Sequence, residues 1–426
     1  MVNLKKIYLD NAATTLVAPE VRKIIDNVND KYFGNPSSVH SIGQESHRLL
    51  DENRRKIADF VGANVDEIIF TSGGSEGDNL AIRGIVAENR KQNTENDKPH
   101  VITSLVEHHA VLHTVQELEK EGLIEATYLR PTADGIITAD TVKEAIKDNT
   151  ILVSLIYVNN ETGVVTPIEE IGEVIQKENS RRAAVATPHN LLLPPPLTPP
   201  QAGGESLGRG GKIYFHSDAV QAAEWEEMNA DKLKIDLLTF TAHKFHGPKG
   251  VGALYIRKGT PIKPQITGGS QEFGKRAGTE NLAGIAGMAG AITQVKSQES
   301  KVKSQVESLR DKLEQGIVDS IPDVIINGKG AKRAPHVSNI SFINAEGEAI
   351  ILNLDFLGIA VSSGSACTSR SLEPSHVLTA MGIPPEKAHG SIRFSLSRYT
   401  TEPEIDKVLE VLPPIIKKLR EMSPFK

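Results

Sequence analysis

Six short runs rich in β-branched residues punctuate the first two thirds of the chain: EIIFT (67–71), HVITS (100–104), ILVSLIYV (151–158), KIYFHSD (212–218), DLLTFTA (236–242) and VGALYIR (251–257). Successive side chains on a strand point to opposite faces, so runs with so little polar alternation require cover on both sides. With longer helical stretches between them, they predict an α/β domain built on a largely parallel sheet. Past about residue 295 the texture changes. Val302, Val306, Leu309, Leu313 and Ile317 recur at steps of three and four, as do Ile405, Val408, Leu409 and Leu412 near the C-terminus, and each stripe predicts a helix. SNISFIN (338–344) and GIAVSSG (358–364) read as short strands between them. The expected organisation is a large domain over 16–295 and a smaller α+β domain made of 1–15 and 296–426.

One segment breaks this pattern. RRAAVATPHNLLLPPPLTPPQAGGESLGRGG (181–211) is dense in Pro and Gly, a composition that cannot build a packed core, and it reads as a disordered surface insertion. PLTPP also carries a PxxP-like spacing, which a proline-docking partner would use.

A formal net charge of −6 leaves no electrostatic footprint for direct nucleic-acid binding. No apolar run approaches the roughly 20 residues that cross a bilayer, and MVNLKKIYLDNAATT lacks a signal-peptide core, so a cytoplasmic protein with no membrane partner is expected. The single cysteine, Cys367, excludes an intramolecular disulfide and any multi-cysteine metal site. It is either inert packing or a lone reactive thiol.

Three motifs can carry chemistry. In FTSGGSEGDNLAI (70–82) a strand turns through Gly73 and Gly74 into a helix whose free N–H groups suit an anion, with the Ser75 hydroxyl adding a bond; a tight βα turn capped by Ser75 would look the same. HSDAVQ (216–221) puts Asp218 and Gln221 just past a buried strand, where α/β sheets bind ligands. A carboxylate there needs a positive partner such as a protonated pyridine nitrogen, unless it caps the next helix. TFTAHKFHGPKG (239–250) ends a strand at Thr241, His243 and Lys244, where desolvation would lower the lysine pKa as Schiff-base chemistry requires; an exposed loop lysine is the plainer alternative.

These motifs do not stand alone. YLDNAATT (8–15), FGNPSS (33–38), EHHAVL (107–112), VNNETGVV (158–165), GKRAGTEN (274–281), SSGSACTSRSLEPSHVL (362–378) and SIRFSLSRYTTEPEID (391–406), taken in order with the three above, resemble the NifS/IscS-type cysteine desulfurases. The resemblance runs nearly end to end and spares only the Pro/Gly segment. It implies a fold-type I transferase dependent on pyridoxal 5′-phosphate, in which Lys244 holds the cofactor, Asp218 pairs with the pyridine nitrogen, Gln221 bonds the ring hydroxyl and His108 stacks on the ring. Gly74, Ser75, Thr241 and His243 would hold the phosphate, with Thr279 reaching in from the second subunit of a homodimer. Asn160, at the cofactor, and Arg393 would bind the carboxylate of L-cysteine. Cys367, in a run of small residues suited to an exposed loop, would take the sulfur as a persulfide, releasing L-alanine. The sulfur would pass to an acceptor such as an iron–sulfur scaffold, with Cys367 transiently ligating a cluster, or into transfer RNA thiolation.

The sequence departs from the family pattern at Gly74-Ser75 (often Ala-Thr), Phe273 (often Arg) and Ser397 (usually Gly), and it stops at SPFK, short of the tail that docks a scaffold. No departure removes a catalytic group. Two rival readings remain, a selenocysteine-lyase or SufS-like enzyme and a non-catalytic scaffold disabled by the insertion. The SSGSAC run argues against the first. Retention of Lys244, Asp218, His108, Cys367 and Arg393 argues against the second.

Overall fold

The computed structural model describes residues 6–90, 98–186, 211–364 and 374–422. Its centre is a seven-stranded sheet in the order Ile68–Thr71, Gly252–Ile256, Leu237–Thr241, Tyr214–Asp218, Thr150–Ile156, His100–Ser104 and Glu125–Leu129. All strands run parallel except Gly252–Ile256, which is antiparallel to both its neighbours. The central strands are buried along their whole length, as the apolar runs require. The edge strand Glu125–Leu129 was not foreseen. Its residues are mostly half-exposed, so EATYL carries no continuous apolar signal.

A second sheet of three antiparallel strands, Ser391–Ser395, Val337–Phe342 and Val324–Ile326, forms the smaller core. Ile7–Tyr8 pairs in parallel with Ile359–Ala360, the only part of GIAVSSG in a strand. This pairing carries the N-terminal segment from the small sheet onto the large one, where Thr15 N–H donates to His243 O at 2.9 Å.

The expected boundary at 295/296 falls inside one helix, Leu282–Ser320. Its first half is rich in Gly and Ala because the helix lies close against Pro19–Lys31: a Cβ on Gly287 would press on Ile25, and one on Gly290 would press on Ile24. A second correction concerns the insertion. The helix Ile168–Ala186 continues six residues into it, held by buried Arg182, which donates to the carbonyls of Lys147, Thr150 and Gly211 at 2.6–2.9 Å and pairs with Glu178 at 3.0 Å. The remainder, 187–210, lies outside the described residues. Among the described residues no helix is long and apolar enough to cross a membrane.

Candidate active site

The carboxyl ends of five parallel strands deliver the expected groups to one edge of the sheet, the usual position of a ligand site in such folds. Lys244 ends a single helical turn after Leu237–Thr241, and its Nζ donates to Ala12 O at 2.6 Å and Ala13 O at 2.9 Å. Asp218, the last residue of its strand, is buried, and its Oδ1 accepts the Val220 N–H at 3.0 Å. His108 caps the helix His109–Lys120, its Nδ1 accepting Ala110 N–H at 3.1 Å. Burial, reinforced by the Lys244 charge, holds the imidazole down to about 4, so it is neutral at pH 7.

A residue the motifs did not single out completes this cluster. Asp78, buried on the helix Gly74–Asn89, offers a carboxylate oxygen that lies with one atom each of His108 and Asp218 within 4.8 Å. Burial pushes Asp218 up to about 6, against the Val220 N–H and the Lys244 charge, and burial beside Asp218 raises Asp78 further. Two buried carboxyls so close cannot both ionise unless a cation joins them. A protonated pyridine nitrogen is such a cation, and this buried set of groups fits one.

The other end of the pocket suits a phosphate. Ile68–Thr71 turns through Gly73 into the 16-residue helix Gly74–Asn89, with Ser75 exposed in its first turn. A Cβ on Gly73 would lie 3.9 Å from Thr241 Oγ1, so this helix start faces Thr241. His243 Nδ1 lies 3.2 Å from Thr14 Oγ1, and burial holds the ring down to about 4. Gln221 Nε2 donates to Ala12 O at 2.7 Å, while its Oε1 lies 3.5 Å from Nε2 of His336, whose ring stacks on Trp225. Thr279 stands apart. It is exposed and lines a separate cavity of about 120 Å³ with Thr71, Ser72 and Arg276.

Arg393, in the strand Ser391–Ser395, joins the small sheet to this site. Its Nη1 donates to Asn160 O and its Nη2 to Asp10 Oδ1, both at 2.9 Å. Its buried Nε, a donor suited to a ligand carboxylate, has no acceptor among the described residues. Cys367 lies outside the described residues, between Gly364 and Pro374. Two further acids went unassigned in the sequence, Glu107 and Glu161. Both are buried, and a charged residue shortly after a strand rich in β-branched residues was the available signal.

A lysine, a buried acid pair that wants a cationic ring nitrogen and an anion-ready helix start define a pyridoxal-phosphate enzyme. The chain belongs to the aminotransferase class-V family, whose model matches residues 7–185 and 204–408, and within it to the cysteine desulfurases; its cofactor is pyridoxal 5′-phosphate. It is 45% identical over 422 residues to "Cysteine desulfurase IscS" of Dictyoglomus turgidum, covering 99% of this chain and 97% of that one. Among solved structures it is similar to a "NifS-like protein" (TM-score 0.83, 33% identity, 97% of this chain and all of that one). It is also similar to "SspA in complex with cysteine" (TM-score 0.74, 32% identity, 93% of this chain and all of that one).

Proposed function

We propose that the chain takes sulfur from L-cysteine onto Cys367, leaves L-alanine, and hands the sulfur to an acceptor protein. The observation that carries this reading is the convergence of Asp218, Asp78 and His108 within the electrostatic reach of Lys244, in a chain so similar to cysteine desulfurases. When bound, pyridoxal phosphate supplies an electron sink for the substrate α-carbon.

The chain's own residues do the rest. Lys244 would hold the cofactor through Nζ, and its free amine would move the Cα proton of the substrate. Asp218 would keep the ring nitrogen protonated and Gln221 would bond the ring hydroxyl. His108, neutral at pH 7, would stack on the ring and move a proton there. Gly74, Ser75, Thr241 and His243 take the phosphate. Asn160 lies at the cofactor and, with Arg393, fixes the substrate carboxylate. The Cys367 thiolate then attacks the substrate sulfur: an S–S bond forms, the Cβ–S bond breaks, and its electron pair stays on Cβ to be protonated.

Exposed Thr279 reaches the cofactor of a second copy, which makes the working unit a homodimer. The acceptor is a protein of the iron–sulfur scaffold kind. Alanine and sulfide formed from L-cysteine with dithiothreitol as reductant test the reading. A yellow protein whose turnover vanishes in Lys244→Ala supports it, and a colourless protein that forms no alanine after incubation with the cofactor overturns it.

A further inference from the structure

We infer that Glu161 is a positioning residue for sulfur transfer: one oxygen of its carboxylate meets both described ends of the segment carrying Cys367 and ties them to the Asn160–Arg393 pair. The inference rests on the reading of Cys367 as the sulfur carrier.

The backbone at Glu161 is fixed from several sides. Asn159 Oδ1 accepts the N–H groups of Glu161 and Thr162 at 3.0 and 2.9 Å, and Gly163 turns the chain at φ +76°. Asn339 Nδ2, from the small sheet, donates to Glu161 O at 3.2 Å. The buried side chain has little freedom as a result. Its Oε2 accepts a short hydrogen bond from Ser375 Oγ, and Ser375 caps the helix His376–Ala380 that follows the Cys367 segment. On the near side of that segment, a Cβ on Gly364 would collide with the same Oε2. Residues eleven apart in sequence therefore close on one atom.

The tie continues into the substrate end of the site. Ser362 and Arg393 exchange backbone bonds, Arg393 N–H to Ser362 O at 2.7 Å and Ser362 N–H to Arg393 O at 3.3 Å. Arg393 in turn holds Asn160 O. A continuous set of bonds thus runs from the expected carboxylate anchor through Asn160 and Glu161 to Ser375, with Gly364 packed directly against the same carboxylate oxygen. Burying a carboxylate is costly, and burial pushes this carboxyl up against the opposing pull of Ser375, His376 and Arg393. The position tolerates that cost because the tie sets where the sulfur carrier meets the substrate sulfur.

The test uses the holoenzyme and its Glu161→Ala, Glu161→Gln, Ser375→Ala, Glu161→Ala/Ser375→Ala and Cys367→Ala variants. First-turnover alanine formation is followed over a range of L-cysteine, together with the change in cofactor absorbance on adding substrate. In Glu161→Ala the maximal rate should fall about 100-fold, with half-saturation within about threefold and the absorbance change intact, as for a displacement of about 1 Å between reacting groups. Glu161→Gln, which keeps an acceptor for Ser375, should recover to within about fivefold, and Ser375→Ala should lose about tenfold. The double variant should be no slower than Glu161→Ala, since both changes break one contact.

A normal rate in Glu161→Ala, a loss of the absorbance change, or additive losses in the double variant would each overturn the inference. If Glu161→Ala does not fold, Ser375→Ala decides, and a wild-type rate there is equally fatal. Cys367→Ala separates the two levels. Alanine formed at the wild-type rate without Cys367 removes the underlying reading, whereas an inactive Cys367→Ala beside a normal Glu161→Ala removes the positioning role alone.

Discussion

Arg393→Lys should weaken L-cysteine binding while sparing the chemistry. The guanidinium is buried; Nη1 and Nη2 are spent on Asn160 O and Asp10, and Nε has no acceptor among the described residues. A substrate carboxylate would satisfy that donor and share the fork, whereas an ammonium keeps the charge but offers no second parallel bond. One charge-assisted bond contributes about 1.5–3 kcal/mol, which converts to a KM higher by roughly 10- to 150-fold. Steady-state alanine formation against L-cysteine concentration measures it, with melting curves to show that the tie to Asp10 survives. A KM within about twofold of wild type, or a kcat collapse at unchanged KM, would refute the assignment of Arg393 as the carboxylate anchor.

Other outcomes follow from the same geometry. Asp218→Asn should bind cofactor yet lose about 10²- to 10³-fold in kcat, because an amide cannot hold a cationic ring nitrogen; activity near wild type would exclude the pairing. Burial pushes the Glu107 carboxyl up to about 8, despite the bond from Ser104, while the unfolded chain releases that proton near 4.5. The folded state therefore loses stability as pH rises through this window, and Glu107→Gln should melt like wild type at pH 4.5 but progressively higher than it toward pH 8.5. Replacing 187–210 by a short Gly/Ser linker should leave turnover unchanged. Extending the deletion to 181 removes Arg182 with its carbonyl bonds and should cost roughly 3 kcal/mol or more in denaturant melts.

The sequence displayed the sheet well where burial is two-sided. HVITS became the strand His100–Ser104 without adjustment, since its β-branched residues favour extended backbone. It hid the edge strand Glu125–Leu129, whose exposed positions remove the pattern, and it hid the first half of the helix Leu282–Ser320, whose close packing demands glycines that look like breaks, while the stripe from Val302 to Ile317 showed the second half. The last turns of Ile168–Ala186 were absorbed into the Pro/Gly segment because composition is blind to a single buried arginine such as Arg182.

In the site, Asp218 and Thr241 were legible because each ends a buried strand, and Lys244 because it follows one within a single turn, which is a local signal. Asp78, Glu107 and Glu161 were not, because their importance arises only where several elements meet. Asp78 sits in an ordinary polar first stretch of a helix and shows its character only against Asp218 and His108, 140 and 30 positions away. Glu161 gains its role from Gly364 and Ser375, more than two hundred positions downstream.

The central claim is that Cys367 receives the substrate sulfur. The most direct measurement is mass spectrometry of the holoenzyme after one turnover of L-cysteine without reductant, with the Cys367 peptide mapped. One added sulfur atom on that peptide, removed by dithiothreitol and matched by one alanine per active site, is the predicted result. Alanine formed in the same yield with Cys367 unmodified would contradict the account.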